Sequence, residues 1–513
     1  MSQYKNLNSL YDHLKTRKKE SYRKIAALYK TSATSILRKI KLIKSRSHIK
    51  GAEFFESEDG QRWLVKLVIA VIMIFGITCN IGAERLTLFF SLLSVTAFIG
   101  LSARSIARIE DKIEHAIEEY RVRYDDEIKK KAASIDIIAG ADETFFDNLM
   151  ILVLMDLKSG FIFCEKSEDD RKHKTWDKLA MPWLSCFKNT YCMVSDRAKA
   201  LIKLANDSIK KVSIPDLFHL MQDVSKSVGR PIAAKIALVS KEILRNQGAH
   251  FSEAKEKVLE EAKTTLLLAQ TEYRKCYRQL STSLHPFKIL TSTPHSTASA
   301  EKDMQNSICE IKKIKSNLSI ADPKNGVGKA EKQVSDATAQ IDIWWDMAKN
   351  SLASSTLDNG QKDWLINCYL PYVYWQKQIH KTDSKKIKTS YILSAQNSKK
   401  LVDKHPLSSS LLNNHDKNLW ADWASEICGF FQRTSSAIEG RNGWLSQMHF
   451  CGRGLSEKRL KSQTTIHNYF LKRDDKTTAC ERLSGIQPEC LFEFILKKFD
   501  SLPLSRVKKL ESG

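Results

Sequence analysis

Two acidic residues stand where the surrounding sequence is otherwise apolar. Asp142 lies in a β-type run from Ser134 to Phe146 that Asn148 breaks, and Asp196 ends the short run Tyr191-Cys192-Met193-Val194-Ser195-Asp196. Asp156, at the end of the apolar run Met150 to Asp156, is a further candidate. An unpaired buried carboxylate is expensive, so an acid in such a run needs a partner. The partner that would also supply chemistry is a hard divalent cation, Mg²⁺ or Mn²⁺, which favours carboxylate oxygens and water.

The elements that must position these acids are short. Lys158-Ser159-Gly160 reads as a turn and Phe161-Ile162-Phe163 starts a third run, so three strands form a meander. A helix through Trp176, Leu179 and Leu184 follows, then the run ending in Asp196. The helix Arg197 to Ala205 comes next, and Ser213 to His219 reads as a fifth strand. The order β-β-β-α-β-α-β, with acids at the ends of the first and fourth strands, is that of a ribonuclease-H-like core. In that core the first and fourth strands are neighbours about 4.8 Å apart, so Asp142 and Asp196 face each other. Taking Asp156 as the acid of the first strand leaves one strand too few before the helix. Asp142 is therefore preferred and Asp156 kept as the alternative.

The chain has 513 residues, 42% hydrophobic, and a formal net charge of +23. Residues 1–50 hold 14 Lys and Arg against Asp12 and Glu20. An excess this dense points to a polyanion, nucleic acid before an anionic membrane. Within it, Ile25-Ala26 followed by Ser32-x-x-Ser35-Ile36 has helix-turn-helix spacing. The second helix would be capped by Ser32 and would offer Thr34, Arg38, Lys39 and Lys41 to DNA. Lys30 occupies the turn position where glycine is usual. The eleven cysteines form no zinc pattern and read as reduced cytosolic thiols, so a cytoplasmic location is expected.

Residues 63–103 hold two apolar runs, Leu67 to Cys79 and Leu86 to Ala103, that could be a membrane hairpin. Against that, Lys66 and Asn80 interrupt the first, and Phe98 to Ile106 matches a second helix-turn-helix. There Gly100 takes the turn, Ser102 the cap, and Arg104 and Arg108 face outward on a helix reaching about Lys131. The expectation is a helical domain in which the two runs pack on each other at Gly76 and Gly100. Residues 225–425 read as a helical insertion, with Trp344 and Trp345 either in its core or stacking on a base. In 428–485, Ser435-Ser436 can cap a helix with Glu439 and Asn442 on one face. A basic stretch with Arg453, Arg459 and Lys461 follows.

The segments ADETFF, ILVLMDLKSGFIF with EDDRKHKTW, CMVSDRAKALIKLA with PDLFHLMQD, and SSAIEGRNGWLSQ with RL and TTIHN together resemble bacterial insertion-sequence transposases of the DDE type. The resemblance runs from about Phe54 to Leu502. It implies an α/β ribonuclease-H-like core with a large all-α insertion and N-terminal helix-turn-helix domains. It also implies Asp142, Asp196 and Glu439 as ligands of two Mg²⁺ or Mn²⁺ ions, with Glu439 in a Glu-x-x-Asn pattern. His449-Phe450-Cys451 departs from the more polar residues usual there.

On that resemblance the chain divides into 1–50 and 51–133 (helix-turn-helix domains), 134–224 and 426–485 (the two parts of the catalytic core), 225–425 (the insertion) and 486–513 (a tail). The expected activity is metal-dependent cleavage at transposon ends and joining of the 3′-OH to target DNA, by an oligomer on double-stranded DNA and away from membranes. Arg171, Arg441, Asn442, Arg453, Arg459 and Lys461 are expected to meet DNA. Without metal, repulsion among the three acids should raise some of their pKa values. The alternatives are a DNA-binding protein without catalysis, or a membrane-anchored one with a hairpin at 63–103.

Overall fold

The structure is a computed structural model describing residues 10, 13, 20–44, 46, 49–247, 252–353, 355–412 and 416–505. Most of residues 1–19, and the basic tail expected after Ser505, lie outside them. The chain is mostly helical, and the described residues form one mixed five-stranded sheet. Its strands are β1 (Asp136–Phe146), β2 (Leu149–Asp156), β3 (Ile162–Ser167), β4 (Asn189–Ser195) and β5 (Val212–Pro215), in the order β3-β2-β1-β4-β5. The first three form the expected antiparallel meander, and β4 and β5 run parallel to β1. β3 continues past Phe163 through Glu165 to Ser167.

Alternation along the strands gives the sheet two buried faces. Ile137, Ala139, Ala141, Leu152, Leu154 and Met193 point into one core, and Ile138, Val153, Met155, Cys192 and Val194 into the other. Helices cover both, as expected of strands that carry apolar residues on each face.

Towards the N-terminus, α1 (Tyr22–Leu28) and α2 (Ala33–Lys44) meet through Ile25, Ala26, Ile36 and Ile40. Ser32 Oγ accepts the Ser35 amide at 3.1 Å, the cap its position suggested. Lys30 takes a left-handed φ of 47° in the turn, a conformation glycine adopts without strain. The next elements are α3 (Glu58–Val71), continued as a π-helix through Thr78, α4 (Ala83–Leu92) and α5 (Ala103–Ala132). The stretch Glu58–Thr78 is long and apolar enough to cross a membrane, and more than half of its most apolar window is buried inside the protein.

The expected packing of the two apolar runs holds on one face, where Leu86, Phe90 and Phe98 of the second share a core with the first, while the outer face of the second is not covered. Leu64, Val68, Ile69, Ile72, Met73 and Ile77 are buried, whereas Leu88, Phe89, Leu92 and Leu93 on and after α4 are exposed. Gly76 is a close-approach point as expected, since a Cβ there would meet Glu110 Oε1 at 2.6 Å and Leu86 Cδ1 at 3.2 Å. Gly100 is not a contact between the runs. Its amide donates to Pro503 O at 2.6 Å, and a Cβ would strike Leu504 O, so the glycine admits the C-terminal segment. Ser102 does cap α5, accepting the Ser105 amide at 3.2 Å.

After β3 come α6 (His173–Leu184) on the α5 side and α7 (Leu217–Val224) directly after β5. The insertion is helical, with its longest members at Glu253–Thr282, Thr297–Asn317 and Gly326–Ala353. Trp344 and Trp345 are buried in it, their indole N–H groups donating to Ile427 O and His295 O at 2.8 and 3.0 Å, so neither is available to stack on a base. The chain then returns to the sheet as α8 (Ser436–Cys451) and α9 (Glu457–Tyr469).

Candidate active site

The last register pair between β1 and β4 is Gly140↔Val194. Two residues further along both strands stand Asp142 and Asp196, on the face shared with Ile138 and Val194. α8 crosses this face. Ile438, Arg441, Asn442 and Leu445, spaced i, i+3, i+4 and i+7, turn toward the sheet and are buried. Gly140 makes the approach possible, because a Cβ there would lie 2.9 Å from Ile438 Cδ1 and 2.5 Å from Leu157 Cδ2. Glu439 is thereby carried to the same end of the sheet as the two aspartates.

Asp142 is 8% exposed, and Asn442 Nδ2 donates to its Oδ2 at 3.0 Å. Burial, then the charges of Glu439, Asp196 and Glu143, push its carboxyl up to about 8. That is the repulsion expected of three acids converging without a cation. Asp196 accepts the Ala198 amide at 2.8 Å across a turn in which Arg197 has φ 67°. Arg197 is held there by Ser213 O at 2.8 Å and Asp336 at 2.6 Å. Glu439 lies 3.3 Å from His219 Nε2, and His219 is half-buried beside the site.

The acid Asp156 is committed elsewhere. Its Oδ1 accepts the Ile138 amide at 3.1 Å, and its Oδ2 accepts the Ser159 amide at 2.8 Å and the Ser159 hydroxyl at 2.5 Å. It clamps the β2–β3 turn to β1.

Several expected DNA contacts are corrected by their partners. Arg441 is buried and bidentate to Glu165 at 2.7 and 2.6 Å, and Asn442 is spent on Asp142. Arg459 is buried against Glu110, Glu114 and the Gly76 carbonyl, and Arg453 pairs with Glu110 at 3.2 Å. Arg441 ties α8 to β3, and Arg459 ties α9 to α5, through acids far off in sequence, while Arg453 stays substantially exposed beside Glu110. Lys461 pairs with Glu457 one turn away at 3.0 Å, and Arg171 with Glu143, though both cations stay substantially exposed. Ser435 does not cap α8. Its hydroxyl and amide donate to Asp216, which also caps α7 by accepting the Phe218 amide at 2.7 Å.

Residues 365–511 match a family of unknown function (DUF6399). The match covers less than a third of the chain and includes Glu439, α8 and α9. No curated protein matches the chain.

Sequence reasoning missed Asp216, Glu165 and Asn80. Asp216 follows β5 and sits in PDLFH, where an acid directly before an apolar helical run is a cap signal. Asn80, read as a break in an apolar run, is a buried joint whose amide donates to Met448 O at 3.3 Å and Gly454 O at 2.8 Å.

Among the described residues no three acidic, histidine or cysteine side chains stand close enough together to hold an ion as they are. Asp142 leans to Asn442 and Glu439 to His219 instead. The donor chemistry nevertheless fits a hard divalent cation: Asp196 and Glu439 are near enough for their charges to act on Asp142, and Asn442 Oδ1 is buried there without a hydrogen-bond partner among the described residues.

Apart from Arg171 beside Glu143, the exposed cations expected to meet DNA include residues of α2 and α5. On α2, Thr34, Arg38 and Lys41 are exposed at i, i+4 and i+7, with Lys39 half-buried at their flank. At the start of α5, Arg104 and Arg108 are exposed and form no ion pair among the described residues, and they line a groove of about 990 Å³ with Thr87, Ser102, Ser105 and Lys112.

Proposed function

We propose that this chain is a metal-dependent DDE-type transposase with a ribonuclease-H-like core. The observation that carries the reading is the juxtaposition of Asp142 and Asp196 on adjacent parallel strands with Glu439 on a helix over the same sheet face. The strand order β3-β2-β1-β4-β5 with an antiparallel meander supports the core assignment. Asp142, Asp196 and Glu439 would hold two Mg²⁺ or Mn²⁺ ions. When bound, such ions neutralise phosphate charge and stabilise the attacking and leaving oxygens of an in-line displacement.

The chain's own groups do the rest. Asn442 fixes the Asp142 carboxylate, and His219 Nε2 stands 3.3 Å from Glu439 at the rim. Thr34, Arg38 and Lys41 on α2, with Arg104 and Arg108 in the groove, meet DNA phosphates. In the first step water displaces the 3′ oxygen from phosphorus, leaving a 3′-OH and a 5′-phosphate. In the second, that 3′-OH displaces a 3′ oxygen of target DNA at the same centre and becomes joined to its 5′-phosphate.

The test is incubation of the purified chain with DNA flanking its own gene and Mg²⁺ or Mn²⁺, mapping nicks on each strand. Nicks at one position per end support the reading, and intact DNA under both metals removes it.

The DNA face carries its own prediction. Removing residues 1–50 should weaken end binding about tenfold or more and flatten its salt dependence, because fewer counterions are released. Replacing Arg104 and Arg108 with Glu should flatten it further. Binding titrations at several salt concentrations decide it, and an unchanged slope in both variants would mean that these cations are only solvated.

A further inference from the structure

We infer that Arg441, acting through Glu165, is the positioning residue that sets where Glu439 stands over Asp142. The inference rests on the proposed reading for what Glu439 does, but its geometry stands independently of it. In the sheet, Asp142 is paired with Val153, and Val153 with Glu165. Glu165 therefore lies in the same row as Asp142, two strands away at the sheet edge, and on the same face. Its side chain is fully buried. Arg441 Nε and Nη2 donate to its two oxygens at 2.7 and 2.6 Å, and Thr464 of α9 donates to Oε2 at 2.6 Å. The guanidinium also lies 4.4 Å from the centre of the Trp444 ring.

A bidentate fork fixes orientation as well as distance. Apart from Asn442 on Asp142, the α8 side chains turned to the sheet are the apolar Ile438 and Leu445, and apolar burial is non-directional. The helix is also intrinsically weak, since Gly440 and Gly443 lie within it and a Cβ at either would meet nothing. Arg441 follows Glu439 by two residues and precedes Asn442, which holds Asp142. The clamp at the edge strand therefore sets the rotation of the one turn that carries both groups. Asn468 of α9 seals the same edge, accepting the Ile162 amide and donating to the Ile162 carbonyl, both at 2.9 Å. The strand bearing Glu165 is thus itself immobilised.

The experiment uses the full chain with Arg441→Lys, which keeps the charge and loses the fork, and Thr464→Val, which removes one donor to Glu165. Three quantities are read: amide hydrogen exchange across 436–451, Mn²⁺ binding without DNA, and cleavage at saturating DNA with end binding measured separately. In Arg441→Lys, exchange should accelerate in α8 while β1 and β4 stay protected. The Mn²⁺ midpoint should rise about tenfold. Cleavage should fall about 10²-fold, the scale of a displacement near 1 Å, with end binding within twofold. Thr464→Val should shift all three in the same direction by less.

Unchanged α8 exchange together with unchanged cleavage would overturn the inference. So would acceleration throughout the sheet in both variants, the mark of a pair that only stabilises the fold. If the wild-type chain itself neither binds Mn²⁺ nor nicks DNA, the transposase reading falls, and local α8 exchange alone decides the role of Arg441.

Discussion

Asp142→Asn should abolish strand cleavage, by about 10³-fold or more, while end binding stays within about twofold. Three orders of magnitude are about 4 kcal/mol of transition-state stabilisation, within what divalent ions supply at a phosphodiester. Asp142 is buried, and the exposed cations proposed to meet DNA stand on α2 and α5, so DNA affinity has no reason to follow.

The same substitution has a second effect that needs no DNA. The Asp142 carboxyl is pushed up to about 8 in the fold, by burial first and then by Glu439, Asp196 and Glu143, whereas the unfolded chain loses that proton near pH 4. The folded state therefore binds more protons between about pH 4 and 8, and stability falls as pH rises through that window. In chelator, the wild-type urea midpoint should drop from pH 5 to pH 8. Asp142→Asn should remove most of that slope and be the more stable protein at pH 8, by on the order of a few kcal/mol. Divalent cation should restore wild-type stability at pH 8 and leave the variant unmoved. Equal pH slopes in the two proteins, or cleavage retained by the variant, would show that Asp142 is not at the centre.

Asp156→Ala is expected to fail in the opposite way. Three donors converge on that carboxylate, and removing it strands the Ile138 and Ser159 amides inside the protein. At about 1–1.5 kcal/mol for each lost bond, the cost is about 3–5 kcal/mol of folding stability. Below the lowered unfolding midpoint, the molecules that remain folded should still bind Mn²⁺ and cleave. Denaturant melts and Mn²⁺ titration on one preparation separate the two aspartates. A stable Asp156→Ala protein that binds no metal would reverse their assignment.

The two aspartates also mark what the sequence could reveal. Asp142 was preferred over Asp156 by counting strands, and the meander was legible because its apolar runs are short and bounded by turn residues. The caps at Ser32 and Ser102 were legible for a similar reason, since each is satisfied within three residues. What stayed hidden depends on distance along the chain. Glu165 and Arg441 are separated by 276 positions, and a surface arginine reads the same in sequence as one forked onto a buried carboxylate. Arg459 was hidden likewise by its acids on α5, and Ser435 by Asp216. Gly100 carried a turn-like context, but what needs the missing side chain is Leu504, near the other end of the chain. The exposed leucines of α4 run against the pattern, because composition alone cannot tell which apolar residues lack a covering partner.

One element runs from the exposed arginines to the sheet that carries the acids. The helix Ala103–Ala132 starts at the groove of Arg104 and Arg108, takes the α8–α9 arginines at Glu110 and Glu114, and ends four residues before β1. Its 30 residues at 1.5 Å each make a rod about 45 Å long. At about 3.4 Å per base pair, that rod spans no more than about 13 base pairs of duplex. On the proposed reading it acts as a ruler. The number of base pairs between the phosphates gripped at Arg104 and the bond presented to Asp142 is then fixed by that rod together with the sheet that runs back along it, and the mapped nick should fall at one fixed offset whatever bases lie between.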